Sequence, residues 1–368
     1  TLMIEKVFLK RTHSKGVLLG LALALGGGGV IIAGDFDFSS EKTIGNLLAL
    51  ICSLFIGGVL MPMAIPLLLI KADLRRIFRE SGRVMIGFGI AALSTITGAL
   101  IGYLLLDLGN IGPKAAAVYS AGWIGGAVNF VAVSEAVAMT PDEFSVALGA
   151  SSPVSVIALM ALLTLPSIKL LRQWLPSTII DRDDVGGQTL QMQVEDMLPV
   201  QVVGLMAISA GICAIAEVIS DWMGYSQYYV LVITVLTLLV ANVFPTYMDR
   251  LRGEFSLAML LMYLFFAAIG CGTDATSFLG SALVLFFYGL TIIGIHLLVV
   301  IAVSRFFRLD LAEVVIASAA ALVGPAPAAA IASARQWPSL VTPAVMCGIF
   351  GYAIANFIGV AIGSWLGG

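Results

Sequence analysis

Two interruptions in otherwise apolar segments carry the residue types best suited to chemistry in this chain. The first is Gly-Gly-Ala-Val-Asn at 125–129, and the second, about 200 positions later, is Gly-Pro-Ala-Pro at 324–327. Each is followed by small and polar residues and then by a proline, Pro141 or Pro338. A helix interrupted at membrane depth exposes backbone groups that only a cavity, an ion or surrounding protein can satisfy. Paired interruptions in corresponding halves of a chain therefore predict a binding site.

The first interruption supplies polar side chains. Asn129 brings an amide to a depth at which an unpaired polar group is costly, so it faces an ion or solute or hydrogen-bonds across a helix interface. Ser134 and Glu135 follow. Glu135 is the acidic residue nearest the interruption and could bind a cation or carry a proton, or it could lie at the membrane interface.

The second interruption mainly supplies backbone. Gly324 weakens the helix here, as Gly125 and Gly126 do in the first interruption. Pro325 and Pro327 lack N–H groups and leave carbonyls of the preceding turn without partners. Freed carbonyls can coordinate Na⁺, and a helix that restarts after an interruption presents its positive end to an anion. A kink that only shapes packing is the alternative.

Other polar residues near the interruptions form a second tier of candidates for solute or ion binding. Hydroxyls on membrane helices often bond to their own preceding turn, and His296 could relay protons or be satisfied by a neighbouring helix. The second-tier residues are Ser120, Ser151, Ser152, Ser318 and Asn356.

The composition identifies an integral membrane protein. Of 368 residues, 60% are hydrophobic and only 11% charged, with mean hydropathy +1.05, whereas charged residues make up about 25% of soluble chains. The net charge of −3 gives no nucleic-acid footprint. Four scattered cysteines and two histidines offer no metal cluster, and no HExxH, GxSxG or P-loop pattern supports an enzyme.

Apolar runs near the length of about 20 residues that spans a membrane predict an all-α protein with about ten to twelve transmembrane helices. Five runs fall in a first repeat at 1–166 and six in a second repeat at 199–368, on either side of a polar linker at 167–198. The run at 199–219 has no counterpart in the first repeat, so either it is an extra connecting helix or its partner lies before residue 1. The runs lie at about 16–34, 44–71, 84–106, 115–138, 145–166, 199–219, 228–246, 256–272, 280–304, 311–334 and 340–366.

Basic loops test this arrangement, because short cytoplasmic loops are rich in Lys and Arg. Such loops precede the first run and follow the second, seventh and ninth. The loops after the second and seventh runs are separated by five runs, and five single crossings would place them on opposite faces. They share one face only if one of the five runs is not a single crossing. The runs at 199–219 and around 145–174 are the weakest crossings. Corresponding loops of the two halves differ in charge, which predicts inverted repeats, each with a broken helix crossing near the midplane.

The stretch Gly-Trp-Ile-Gly-Gly-Ala-Val-Asn-Phe at 122–130, with its continuation to Ala136, resembles the YjcL-like family of multi-pass membrane proteins of unknown function. The likeness covers nearly the whole chain and includes 67–76 and 324–326. The family is distantly similar to bile-acid/sodium symporters and cation/proton antiporters. This resemblance implies an inverted repeat, two broken helices, a mobile core and a scaffold. It supplies no substrate, and Val323 stands where the resemblance leads us to expect a glycine.

These observations favour a secondary transporter of a small, anionic organic solute, coupled to Na⁺ or H⁺ and working by alternating access. Its partners would be that solute and the lipid bilayer, and the sequence leaves open whether two copies form a homodimer. We expect the protein in a bacterial inner membrane or an equivalent organelle membrane. The alternative is a membrane sensor or assembly partner that uses the same fold to bind a ligand without transport. The sequence offers no nucleophile and base arrangement of the kind that an intramembrane enzyme would need.

Overall fold

A computed structural model describes residues 61–180, 199–272 and 278–367. The regular structure in these ranges is helical, as expected for an all-α membrane protein. The helices are α1 Met61–Leu69, α2 Leu74–Leu105, α3 Gly112–Ala136, α4 Pro141–Thr164, α5 Lys169–Trp174, α6 Pro199–Trp222, α7 Tyr229–Val243, α8 Pro245–Met248, α9 Glu254–Gly272, α10 Phe278–Phe306, α11 Leu311–Leu322, α12 Pro325–Ala334 and α13 Val341–Gly367.

Seven described helical segments are long and apolar enough to cross a membrane. They are Leu74–Leu105, Gly109–Ala136, Pro141–Ser167, Pro199–Trp222, Ser226–Val243, Ala282–Phe306 and Pro338–Gly367. Together with shorter apolar helices at Glu254–Phe265 and Leu311–Leu322, they coincide with the predicted runs from 84 onward. The run at 16–34 and most of 44–71 lie outside the described residues, so the total of ten to twelve stays a prediction.

Capping residues fix where several membrane helices begin. Asp73 accepts a hydrogen bond from the backbone of the first turn of α2. Thr140 and Glu143 form a reciprocal capping box at the start of α4, and Asp310 and Glu313 form another at the start of α11. Such caps satisfy N–H groups that have no partner within the helix.

Helix α3 doubles back on itself. Gly126 has φ 77° and ψ −178°, far from helical values. A Cβ placed on Gly122 would stand 2.6 Å from Cδ2 of Phe130, and the Lys114 ammonium donates to the Ala138 carbonyl at 2.9 Å. In a straight helix, residues 114 and 138 would lie about 36 Å apart. The arms on either side of Gly126 are therefore antiparallel, and we call residues 112–136 hairpin 1.

Helices α11 and α12 form a second hairpin, hairpin 2, at residues 311–334. Gly324 separates them with φ 91° and ψ 176°, and the two helices pack on each other. Arg335, just after α12, donates to the Leu163 carbonyl. Asp310, just before α11, accepts from the Thr178 N–H at 2.7 Å, and residues 165–167 pack on α11. Both ends of the hairpin thus lie beside the segment that follows α4.

The predicted single crossings at 115–138 and 311–334 are therefore wrong. Each segment returns to the side from which it comes, because a glycine with positive φ at its tip reverses the chain. Hydropathy does not distinguish such a reversal from a crossing, since both bury an apolar segment of similar length.

The bases of the two hairpins lie at opposite ends of α2. At the N-terminal part of α2, Arg83 donates to the Arg308 carbonyl at 2.5 Å, next to the base of hairpin 2. At its C-terminal part, Tyr103 lies against Gly112 at the base of hairpin 1, with Cε2 2.8 Å from where a Cβ on Gly112 would stand. The twenty residues between positions 83 and 103 span about 30 Å of helix, close to the thickness of a bilayer core.

The doubling back of α3 also explains the positions of the basic loops. Lys71 pairs with Glu254 at 2.9 Å and Arg76 approaches Asp249 at 4.0 Å, so the loops after the second and seventh runs share a face. Of the five intervening runs, the one that does not cross is 115–138. Helices α6 and α4, in the regions singled out as the weakest crossings, are long and apolar enough to cross, as is Gly109–Ala136, so this criterion alone does not identify the run that does not cross.

The described helices separate into two bundles. The hairpin bundle contains both hairpins with α2, α4, α10 and α13, and the companion bundle contains α1, α6, α7 and α9. Helix α13 packs along both hairpins through small residues. A Cβ on Gly348 would lie 2.6 Å from Pro325 Cβ, and one on Gly359 would lie 2.8 Å from Ala121 Cβ. Gly363 makes a similarly close contact, since a Cβ there would lie 3.1 Å from Ala117 Cβ.

Candidate functional site

The tips of the two hairpins meet at Tyr352 of α13. A Cβ on Gly126 would stand 3.1 Å from Tyr352 Cε1, and one on Gly324 would stand 3.6 Å from its hydroxyl oxygen. Tyr352 is near the middle of α13, and each first arm is about 20 Å long, so both tips reach the middle of this helix. The structure thus brings the two interruptions, remote in sequence, to one side chain.

Asn129 clamps hairpin 1 to α13. Its Nδ2 donates to the carbonyls of Gly351 at 3.4 Å and Tyr352 at 3.2 Å, and the residue is 1% exposed. No described residue donates to its Oδ1. The hydrogen bond across a helix interface that the sequence left open is therefore present. A binding role for the amide oxygen is compatible with it and stays a prediction.

Gly125 makes this close approach possible. A Cβ at that position would lie 1.8 Å from Asn129 Nδ2 and 2.5 Å from Ala355 Cβ. Real carbon atoms cannot approach so closely, so no larger side chain fits between the arm, the amide and α13. The first glycine of the pair is required for packing, whereas Gly126 forms the turn.

The second tip offers few backbone donors. Pro325 and Pro327 have no N–H, and the Ala328 N–H bonds to the Gly324 carbonyl at 3.2 Å. The Ala326 N–H is thus the donor left in the first turn of α12. The three residues after Gly126 each carry an N–H, so hairpin 1 provides more donors at its tip.

The tips are accessible while the arms are buried. Gly126 is half-buried and Ala127 is exposed. On the other side, Ala326, Pro327 and Tyr352 are half-buried. By contrast, residues 115–125 and 311–322 are almost all buried. The described residues make no hydrogen bond to the Tyr352 hydroxyl. Irregular backbone at membrane depth is tolerated where it lines a cavity, and this exposure is consistent with one.

The remaining residues of the first tier lie away from the tips. Ser134 is buried and its hydroxyl donates to the Val131 carbonyl at 2.7 Å. Glu135 lies in the last turn of hairpin 1, where its side chain is exposed and makes no ion pair with a described residue. Both belong to the base of hairpin 1 rather than to the meeting point at Tyr352.

Two of the four second-tier hydroxyls have local partners. Ser151 and Ser152 donate to the Leu148 carbonyl at 2.9 and 2.8 Å. The Ser120 hydroxyl is buried without a described partner. Ser318 lies 3.2 Å from His296 Nε2.

His296 is fully buried and hydrogen-bonded on both sides. Its Nδ1 lies 2.9 Å from the Thr95 hydroxyl, which donates to the Ala91 carbonyl. The Thr95 oxygen therefore accepts from Nδ1–H, and Nε2 accepts from the hydroxyl of Ser318. This arrangement ties α10 to α2 and to hairpin 2, as in the interpretation of a histidine satisfied by its neighbours.

Tyr352 was not among the residues predicted from the sequence. A tyrosine in an apolar helix gives no interruption to notice, and its position opposite both tips depends on tertiary packing. The nearest signal is the series of small residues at Gly348, Gly351 and Ala355, which predicts a helix face closely packed on a partner.

An apolar groove of about 460 Å³ lies elsewhere, between the end of α6 and the start of α7. Its lining contains no residue of either hairpin. The lining residues are Ile219, Ser220, Met223, Tyr225, Tyr228, Leu231, Val232, Val235 and Leu236. Because these helices are largely exposed on their outer sides, we assign no chemistry to it.

Comparison with known proteins identifies the family of this chain. The family described as "Protein of unknown function (DUF819)" matches residues 42–367, which include both hairpins. The chain belongs to this family. It is 30% identical over 332 residues to the "Uncharacterized membrane protein YjcL" of Bacillus subtilis (strain 168), covering 84% of this chain and 82% of that protein. No solved structure matches. The resemblance to the YjcL-like family is thereby confirmed, and the DUF819 chain is an integral membrane protein.

Proposed function

We propose that this DUF819 protein is a secondary active transporter of a small organic anion, with its solute site between the hairpin tips. The observation that carries the proposal is the meeting of the two tips at Tyr352. Re-entrant segments at membrane depth are characteristic of proteins that bind a solute or ion there, because irregular backbone otherwise lacks partners.

We infer further that the hairpin bundle is an inverted repeat. Helix α2, hairpin 1 and α4 would correspond to α10, hairpin 2 and α13. Opposite entry of the hairpins is what such symmetry requires. The two equivalent long helices pack closely, with a Cβ on Gly98 of α2 lying only 2.7 Å from the Ile292 carbonyl of α10.

Alternating access would then consist of movement of the hairpin bundle against the companion bundle. Contacts between the bundles are fewer than those within them, and α1, which is buried along its whole length, lies where they meet. A site between two tips that approach from opposite faces can open to either side when one bundle shifts.

The chemistry at the tips supports an anionic solute. The second arms of both hairpins begin at the tips, and the N-terminal end of a helix carries a partial positive charge. Backbone N–H groups of the first tip, the Ala326 N–H and the Tyr352 hydroxyl supply donors for a carboxylate or similar group. The proline-rich turn after Gly324 supplies freed carbonyls that suit a coupling cation.

The test begins with a thermal-shift screen of small organic acids and a proteoliposome uptake assay of the hits. Uptake by Tyr352→Phe is then compared with uptake by the wild type. Loss of a hydroxyl without a described partner should leave the unfolding temperature unchanged and reduce uptake at least about tenfold, equivalent to the loss of about 1.4 kcal/mol of binding.

Tyr288→Phe is the matched control, because that buried hydroxyl donates to the Ala99 carbonyl at 2.9 Å away from the tips. It should lower stability by about 1 kcal/mol and leave uptake per folded molecule unchanged. Equal uptake by wild type and Tyr352→Phe would remove the solute site from the hairpin tips.

A further inference from the structure

A buried amide oxygen on α13 lacks a hydrogen-bond partner. Asn356 is 0% exposed, and its Nδ2 donates to the Thr234 hydroxyl oxygen of α7 at 3.2 Å. The Thr234 hydroxyl itself donates to the Val230 carbonyl at 2.9 Å, which fixes the orientation of the amide. The Asn356 Oδ1 is left facing the protein interior with no described donor. An unpaired carbonyl oxygen in such a place calls for a cation or a bound water.

Asn129 meets Asn356 at the same peptide group. The Asn129 Nδ2 donates to the Tyr352 carbonyl, and in the continuous helix α13 this carbonyl also accepts the backbone N–H of Asn356, four residues later. The Asn129 amide and the backbone of Asn356 therefore meet at one peptide group, and of the two amide oxygens the Asn356 Oδ1 is fully buried without a described partner. The Thr234 hydroxyl contributes a third oxygen to this cluster.

The chemistry of these oxygens selects the ion. Carbonyl and hydroxyl oxygens are hard ligands, which suit alkali and alkaline-earth cations rather than transition metals. The three side chains carry no charge, and Mg²⁺ and Ca²⁺ sites normally include carboxylates to offset dehydration. Neither amide nor hydroxyl takes up a proton at ordinary pH, so the cluster cannot carry H⁺.

We propose that Asn356, Asn129 and Thr234 form an Na⁺ site, and that Na⁺ rather than H⁺ is the coupling ion. The second part rests on the proposed function; the first does not. Asn356 belongs to the hairpin bundle and Thr234 to the companion bundle, so the ion bridges the two bodies. Asn129 belongs to hairpin 1, so the ion site adjoins the solute site and depends on one arrangement of the bundles.

Na⁺ binding is tested by thermal unfolding of the full chain in detergent without solute, in NaCl or choline chloride at equal ionic strength. Wild type should unfold at a higher temperature in NaCl, in a saturable manner, because the ion binds only the folded state. Asn356→Leu should lose this Na⁺ dependence. In choline it should be as stable as wild type or more stable, because it removes the unpaired oxygen. A purely structural asparagine would instead make the variant less stable in both salts by the same amount.

Thr234→Val supplies a second variant, and Thr237→Val is its matched control. Both hydroxyls are buried on α7 and donate to the carbonyl four residues earlier, but the described contacts of Asn356 include only Thr234. Thr234→Val should raise the Na⁺ concentration for half of the shift by about tenfold, and Thr237→Val should leave it unchanged.

The absence of a Na⁺-dependent shift in wild type, or a full shift in Asn356→Leu or Thr234→Val, would overturn the site. Because these measurements use no solute, Na⁺ binding without uptake would contradict the transporter alone. Uptake that is driven by H⁺, with no Na⁺ shift, would contradict the ion site alone.

Discussion

Hairpins 1 and 2 have the same shape but differ in what their tips contain. Hairpin 1 turns at Gly126 and is clamped to α13 by the Asn129 side chain. Hairpin 2 turns at Gly324, and two prolines leave its restarting helix with few donors. The comparison teaches that one hairpin contributes polar side-chain and backbone donors to the meeting point, while the other contributes mainly a shaped backbone.

Their bases differ as well. The base of hairpin 1 closes on itself and on the start of α4, where Lys114 bonds to the Ala138 carbonyl and pairs with Glu143 at 2.9 Å. The base of hairpin 2 is held through Arg335 by the last turn of α4 and through Asp310 by the segment after α4. This segment begins the stretch predicted as a polar linker at 167–198, so its described part, up to residue 180, is docked on the hairpin bundle.

Gly125→Ala should disrupt the close packing of hairpin 1 on α13. The added Cβ would overlap Asn129 Nδ2 and Ala355 Cβ, and both are backed by the helix α13. We expect a loss of about 3 kcal/mol or more of unfolding free energy, seen as poor recovery of monodisperse protein. Gly89→Ala is the control, since nothing lies within 4 Å of its added carbon. A stable Gly125→Ala protein would contradict the close packing of hairpin 1 on α13.

The two turn glycines sharpen the comparison. Gly126→Ala and Gly324→Ala both place a side chain at positive φ with ψ near 180°, a region that is essentially restricted to glycine and costs about 1–3 kcal/mol. Gly126→Ala should be the more harmful, since its Cβ meets the Tyr352 ring at 3.1 Å whereas that of Gly324 meets only the hydroxyl at 3.6 Å. Unfolding midpoints of the two variants, compared directly, test this order. The reverse order would mean that hairpin 2 is the more constrained tip.

The smallest stability effect in this series is expected for Asn129→Ala, and it should be accompanied by loss of uptake. Removing two hydrogen bonds to α13 carbonyls should cost about 1 kcal/mol, whereas the solute and ion would lose a ligand. Ser134→Ala is the control on the same arm, because its hydroxyl bonds only to Val131. Proteoliposome uptake per folded molecule separates the two variants, and normal uptake by Asn129→Ala would exclude it from the site.

Part of this architecture was predictable from the sequence. The glycine and proline content of 125–129 and 324–327 marks both turns, because few other residues accept positive φ or omit an N–H. The basic loops at 71–83 and 250–252 required one run to be something other than a single crossing. The membrane location follows from composition and is confirmed by the family and the apolar helices.

The rest depends on tertiary packing. Whether residues 115–138 cross or reverse is decided by the contact of Gly122 with Phe130, which a hydropathy profile does not contain. Tyr352 meets Gly126 and Thr234 meets Asn356, although the members of each pair are more than a hundred residues apart in sequence. Such pairings are not written in local residue patterns.

The opposite entry of the two hairpins is tested most directly by the sidedness of single cysteines. In a variant without Cys52, Cys213, Cys271 and Cys347, the exposed positions Asn110, Ala138, Arg308 and Gln336 are changed one at a time to Cys and labelled in oriented vesicles with an impermeant thiol reagent. Asn110→Cys and Ala138→Cys should react from one side, and Arg308→Cys and Gln336→Cys from the other. Labelling of Asn110→Cys and Ala138→Cys from opposite sides would mean that α3 crosses the membrane, and it would contradict the account.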